Sequence, residues 1–320
     1  FLDIKKVLRK CNDFDCVITS YGDAFSLFAG RYFHKYHKET TWVFDIRDAV
    51  WRYKFTPCYV SWIAKIFERQ IWRSADCILG VSKGICKRVP PKYRKKVHCL
   101  TNGYDISDRD RLSMVRLDTP KLIFTYTGSM YGGIQDLSVL FQAVREAVSR
   151  GEIDEDGLEF HYAGNDLAYE IFKSQAQKYE LGKNCVTHGK LSHKEALALQ
   201  QQSDVLIVAS YDYQNNQGGV ITGKALEYMS AQRPIVAIIM GDIEQSELAD
   251  IIRRTKLGIA YEDAHKEEDY DKLYAYICRL YKEFAETGEI EHNPDKKELR
   301  KYDYRNLCKR FIKIMNQIGK

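Results

Sequence analysis

The sequence predicts an α/β protein of two doubly wound, Rossmann-like domains whose sheets face each other across a cleft at their carboxyl ends. Short apolar runs of strand length alternate with helical patterns along most of the chain, which is how parallel sheets covered by helices on both faces read. The alternation lapses after the turn dipeptide Asn102-Gly103, through the apolar-poor YDISDRDRLSMVRLDTP, and starts afresh at KLIFTYTG. A length of 320 residues with 45% hydrophobic composition supplies a core for each domain. The expected boundaries are 1–115 and 116–300.

The first series runs CVITS (16–20), an aromatic helical stretch through Phe33, TWVFDI (41–46), an amphipathic stretch from about Pro57 to Arg73, CILGVS (77–82), a basic segment and VHCLTNG (97–103). In the second, KLIFTYTG (121–128) leads through a glycine bend to a helix from about Gln135 to Arg150, and LEFHYAG (158–164) precedes another helix. NCVTHG, a helix around His193 to Gln202, DVLIVAS (204–210), a helix at Lys224 and the strand PIVAI complete it. After Gly258 the chain reads as helical and charged to Lys320, with KEEDYDKLYAYICRLYKEF its clearest amphipathic piece.

Composition excludes several classes. No apolar run approaches the roughly 20 residues that span a bilayer; IVAIIM (235–240) has strand length. The nine cysteines include no CxxC pair, so reduced thiols in a cytoplasmic protein are the expectation. The opening FLDIKKVLRK lacks an initiator Met and is too charged for a signal peptide, and it reads as a point part-way into a longer protein. Residues 1–110 carry 21 Lys+Arg against 12 Asp+Glu, whereas the remainder is net acidic. Six of the basic side chains fall in KRVPPKYRKK (87–96), either a solvated loop or a patch drawn to an anionic membrane surface at the inner face of the plasma membrane. The run has the single aromatic Tyr93 and no series of interleaved aromatics for stacking on bases, and no nucleic-acid partner is expected. The Asp-x-Asp triplets at 13–15, 108–110, 154–156 and 269–271 lie in polar turns or helices, and no metal or other cofactor is expected.

Two stretches carry chemistry. YTGSMYGGIQDLSVLF places Gly128, Gly132 and Gly133 between a strand and a helix, where bare amides and a helix dipole suit a diphosphate; a tight strand-to-helix turn is the equal alternative. In GGVITGKALEYMSAQRPIVAI, residues 218–238, Thr222 is the expected N-cap, and Lys224 and Glu227 share a face of a mostly apolar helix. Directed at the same crevice, they would offer a cation for phosphates beside a carboxylate for sugar hydroxyls. The alternative is an i,i+3 surface ion pair, which contributes only some tenths of a kcal/mol. In the first domain DIRDAVW sets Asp45, Arg47 and Asp48 at a strand end. Asp48 is the candidate for contacting an acceptor hydroxyl as general base, against a plain helix cap paired with Arg47.

The order YTGSMYGG, HYAGN, THGKLSHKEALALQQQSDVLIVAS, GKALEYMSAQRPIVA resembles the carboxyl-terminal half of glycosyltransferase family 4, the retaining group 1 enzymes of GT-B fold, and resembles their polysaccharide-assembly branches in GKALEY. FDCVITSYGD, VFDIRDAVW, RSADCILGVSKGI and LTNGYD extend the resemblance over residues 14–240. It implies a first domain incomplete at its amino terminus and a terminal helix, 301–320, crossing back to that domain. It implies a metal-independent sugar transfer from a nucleotide diphospho-sugar, UDP- or GDP-linked, to a glycan or polyprenyl-diphosphate-linked acceptor in cell-surface polysaccharide synthesis. By resemblance Glu227 holds the ribose, and Gly219 stands where the family's first motif glutamate contacts the donor sugar. Ser129 and Gln135 replace the usual Arg and Lys of the first bend beside Tyr131, and Lys224 supplies the missing cation. His188-Gly189 and Lys190-Leu191 resemble the segment that receives the base, and Gly164-Asn165 the loop lining that pocket; a capping His and an ordinary strand-end turn are the alternatives. Two other functions share this fold: a nucleotide-sugar 2-epimerase, and a sugar-nucleotide-binding protein without turnover.

Overall fold

The computed structural model describes residues 14–21, 24–47, 66, 68–107, 116–211 and 220–318. The chain packs as two compact units, one holding residues up to 102 and from 305 onward, the other holding 103–304 apart from a short segment after residue 212.

The first unit is a parallel sheet, in spatial order β1-β2-β3-β4, of β1 (Cys16–Tyr21), β2 (Thr41–Ile46), β3 (Cys77–Gly80) and β4 (Val97–Cys99). The run TWVFDI is a strand over its full length because it is buried on both faces: Trp42 and Phe44 join Tyr21, Ile71 and Ile78 on one, while Val43 joins Cys77 and Leu79 on the other. Helix α1 (Ala24–Tyr36) connects β1 to β2. A helix over 68–74 (α2) precedes β3, and the short α3 (Lys83–Lys87) follows it, capped by the Ser82 hydroxyl on Ile85 N. The helix α10 (Tyr304–Ile318) lays Leu307 on the second of these faces.

Among its described residues the second unit has six parallel strands in the order β10-β9-β8-β5-β6-β7. They are β5 (Leu122–Thr127), β6 (Leu158–Ala163), β7 (Cys185–Thr187), β8 (Val205–Tyr211), β9 (Ile235–Met240) and β10 (Gly258–Glu262). Alternation along β8 shows how the sheet is clothed. Val205, Ile207 and Ala209 face the core shared with α4 (Ser138–Ser149), α5 (Asp166–Gln177) and α9 (Lys266–Thr287), whereas Leu206 and Val208 face α7 (Gly223–Ala231) and α8 (Glu247–Thr255). Helix α6 (His193–Gln202) runs into β8, its start fixed by a capping box of Ser192 and Glu195.

Several expectations change. GIAYE is a strand, not part of the helical tail: Gly258 has φ +155, and a Cβ there would run into the Ile235 backbone, so the edge pairing with β9 depends on glycine. Helix α4 begins at Ser138, not Gln135, because the Gln135 side chain is buried and ties down the bend instead. The described start of the linker stretch packs with the second unit: Tyr104 is buried in its core and bridges to Asp303. No helix among the described residues is long and apolar enough to cross a membrane.

Candidate functional site

In the second sheet β5 pairs with β6 on one side and β8 on the other, so the chain direction of winding reverses there. The carboxyl edge of such a switch point is where open α/β sheets hold ligands. The loops leaving β5, β6 and β7 are joined across this edge. Gly128 N donates to Ala163 O at 2.7 Å, Gly164 N to Gly189 O at 2.9 Å, and the Tyr162 hydroxyl to Gly128 O at 2.6 Å. Gly128 lies at φ +100, and a Cβ there would be 2.7 Å from Lys224 Cε. One at Gly164 would be 2.7 Å from Gly128 O. Both positions are therefore closed to side chains.

Helix α7 delivers Lys224 to this bend. Its ammonium donates to Ser129 O at 2.8 Å and to the Tyr126 hydroxyl at 3.1 Å, and it lies 4.7 Å from the centre of the Tyr126 ring. Burial pushes its pKa down from 10.5 to about 8, against the opposing pull of Glu227. A half-buried cation held by neutral groups, with Glu227 engaged elsewhere, gains most from an arriving anion. The bend itself is organised by Gln135, whose Oε1 accepts from Tyr131 N at 2.9 Å and whose Nε2 donates to Ala209 O at 3.1 Å. The Tyr131 amide is thus committed. Gly132 and Gly133, both exposed and the latter at φ +75, show no acceptor for their amides among the described residues. The helix dipole expected behind this bend is displaced, since α4 starts at Ser138 and Asp136 Oδ1 accepts from Ser138 N.

Glu227 does not pair with Lys224. Its Oε1 accepts from Gln200 Nε2 at 2.5 Å, and its Oε2 lies 3.2 Å from His193 Nε2. Gln200 is fully buried and also reaches Thr127 Oγ1 at 3.0 Å, so the carboxylate is anchored to the end of β5. Its side chain is about one-third exposed, and a carboxylate held by two donors keeps acceptor capacity for hydroxyls.

His188 belongs to a hydrogen-bonded chain. Its Nε2 lies 3.0 Å from His161 Nδ1, His161 Nε2 lies 3.0 Å from Glu159 Oε2, and Lys121 Nζ lies 3.0 Å from Glu159 Oε1. Burial raises the Glu159 pKa, but hydrogen bonds from His161 and Lys121 more than offset that and leave it below its ordinary value. Burial, with His161 adding to it, lowers that of His188. The capping reading of His188 does not hold, because Ser192 caps the helix that follows.

Other expected site residues fare differently. Ser129 presents its carbonyl, not its amide, to Lys224. Asn165 caps α5 through Oδ1 on Ala168 N at 2.9 Å, the ordinary turn reading. Thr222 occupies the N-cap position of α7 without capping: its side chain bonds no helix amide, and Oγ1 is buried without a partner. Gly189 has φ +63, and Leu191 is half-buried in the loop before α6. Asp45 is buried and accepts from the Ser20 hydroxyl at 3.0 Å and Arg47 Nε at 2.5 Å, so it positions Arg47, which also reaches Asn102 Oδ1. Gly219 and Asp48 lie outside the described residues.

Sequence reasoning missed Tyr126, Tyr162, Gln200, His193 and His161. Tyr126 and Tyr162 read as strand aromatics, and their rings stack at 5.7 Å beneath the bend. One signal was present: a Tyr two residues before the glycine that ends the strand, in both YTG (126–128) and YAG (162–164).

A family model described as Glycosyl transferases group 1 matches residues 121–283, just over half of the chain. Comparison with curated proteins finds no match. Among solved structures, the apo form of the lipopolysaccharide outer core galactosyltransferase WaaB superposes with a TM-score of 0.64 at 14% identity, over 99% of this chain and 78% of that one. Sucrose-phosphate synthase from Thermosynechococcus elongatus gives 0.65 at 14%, over 99% and 77%. A variant of S. aureus TarM, in complex with fondaparinux, alpha-GlcNAc-glycerol and UDP, gives 0.63 at 15%, over 98% of this chain and 58% of that one. At these identities the structural likeness establishes the GT-B fold, two Rossmann-like domains, and the family match does the rest: this chain belongs to the group 1 glycosyl transferases.

Proposed function

We propose that this glycosyltransferase moves a hexosyl group from a nucleoside diphospho-sugar, UDP- or GDP-linked, to a hydroxyl of a glycan or polyprenyl-diphosphate-linked acceptor, with retention and without a metal, in cell-surface polysaccharide synthesis. The observation that carries it is the Lys224 ammonium lying against the Gly128–Ser129 bend at the switch point. In this reading the diphosphate takes the Gly132 and Gly133 amides and displaces the weak neutral partners of Lys224. As the anomeric C–O bond breaks, negative charge grows on the leaving phosphate oxygen, where a fixed cation in a poorly hydrated site is most effective. Glu227 accepts from the ribose hydroxyls, and the His188–Leu191 loop receives the base. Arg47, held by Asp45, together with Asp48 belongs to the acceptor side. A TarM variant whose complex includes UDP and alpha-GlcNAc-glycerol supports the donor class by likeness of fold.

The test is donor binding and transfer with Glu227→Ala and Lys224→Met. Losing the ribose contact is expected to weaken UDP or GDP binding about 10- to 100-fold, a charge-assisted hydrogen bond being worth ~1.5–3 kcal/mol. Wild-type affinity and turnover in both variants would rule out this site.

A further inference from the structure

We infer that the first unit carries a second anion site, built to hold a phosphate-bearing group, at the opposite edge of its sheet from the strand end that carries Asp45 and Arg47. A cavity of ≈ 460 Å³ there is lined by Arg31, His34, Lys35, Lys38, Ser74 and Asp76. Its place follows from the topology: Lys38 follows α1, Ser74 ends α2, and Asp76 directly precedes β3, so the cavity opens at the amino ends of β2 and β3.

Arg31, Lys35 and Lys38 are spaced by four and three residues, which brings their side chains to one side of α1 and the turn after it. All three are exposed. His34 Nδ1 is buried and has no hydrogen-bond partner, its approach to Asp76 Oδ2 being 3.9 Å. Among the described residues the carboxylate lining the cavity is Asp76, and its Oδ2 accepts from Trp42 N at 2.9 Å. Lys96, which does not line the cavity, donates to Arg73 O and Ala75 O and so ties down the segment that carries Ser74 and Asp76. Among the described residues, Arg31, Lys35 and Lys38 with the Ser74 hydroxyl and the His34 Nδ1 line this depression against one acid, Asp76, which already has a donor. Simple solvation of the lysines explains their exposure but not the concave grouping or the orphaned nitrogen. Phosphate, which accepts several hydrogen bonds and carries one to two charges, matches this set. Two sources share that chemistry: the headgroup of an anionic lipid in a bilayer, and a free phosphorylated metabolite.

The experiment uses the whole chain, with Arg31→Gln/Lys35→Gln as the test variant and Lys266→Gln/Lys282→Gln, equally exposed on the second unit, as the charge-matched control. Binding is measured to phosphatidylcholine vesicles with and without phosphatidylglycerol by sedimentation, and to inorganic pyrophosphate by calorimetry with the donor site saturated by UDP. At roughly a factor of five per basic group at an anionic surface, the test pair should lose about 30-fold on the ligand that is the true source while the control stays within a factor of two or three. Selective loss on vesicles identifies the lipid headgroup, and selective loss on pyrophosphate the free anion. Equal losses in both variants, or no binding by wild type to either probe, would overturn the inference. Melting temperatures of the two variants within a degree or two of wild type confirm that folding is intact.

Discussion

Lys224→Met should make the ligand-free protein more stable while weakening its hold on a diphosphate. The drop from 10.5 to about 8 means that keeping this amine charged in the fold opposes folding at neutral pH. At about 1.4 kcal/mol per pH unit that is roughly 3 kcal/mol, and partial exposure with solvent screening reduces it to ~1–2 kcal/mol. Removing the amine strands little: Ser129 O still accepts from the Tyr126 hydroxyl at 2.9 Å, and methionine keeps most of the apolar stem. For a unit of this size the gain is a melting temperature higher by roughly 2–8 °C at pH 7. The sign with pH follows from linkage. The penalty is fully present below about 8, where both folded and unfolded chains hold the proton. Between about 8 and 10.5 the unfolded chain binds more protons, so wild type gains stability as pH rises and the gap to Lys224→Met closes. Thermal melts of both proteins at pH 7, 8.5 and 10, with and without UDP, measure it. A variant less stable than wild type at pH 7, or a gap that does not narrow by pH 10, would refute the electrostatic reasoning; so would equal stabilisation of both proteins by UDP.

Gly128→Ala should destabilise the second unit by ~2–3 kcal/mol, since a left-handed backbone and a 2.7 Å approach to Lys224 act together, while Gly133→Ala, at φ +75 with open space, should cost only ~1 kcal/mol. Urea midpoints compare the two directly. Asp204→Ala should cost ~3–5 kcal/mol in the same assay, because Asp204 is buried, holds Arg116 through both oxygens at 2.8 and 2.9 Å and accepts from Ile123 N, so its loss leaves a guanidinium and an amide without their partner.

The elements that the sequence makes plain are those whose composition answers to one demand. TWVFDI is apolar because both its faces are covered, and a glycine must follow β5 because the backbone there turns through φ +100. Where a residue serves two neighbours the reading fails. Gln135 looks like the first turn of a helix but spends its amide on closing the bend, which pushes the helix start to Ser138. Thr222 has the right type and place for a cap, yet its hydroxyl turns away from the first turn. Glu227 and Lys224 are close along the helix and still choose other partners, Gln200 and the Ser129 carbonyl, which lie 27 and 95 positions away in sequence. GIAYE was hidden because an edge strand opening on glycine carries too little apolar signal, its meaning residing in the backbone of β9.

The chain from Lys121 to His188 fixes the polarity of a ring at the sheet's rim from well inside the molecule. An ionised Glu159 can only accept, so a singly protonated His161 carries its proton at Nε2, and its Nδ1 then takes one from His188 Nε2. His188 is left with a bare lone pair on Nδ1. Whatever meets that edge encounters a hydrogen-bond acceptor, and the choice is made by a carboxylate two links away that never touches it.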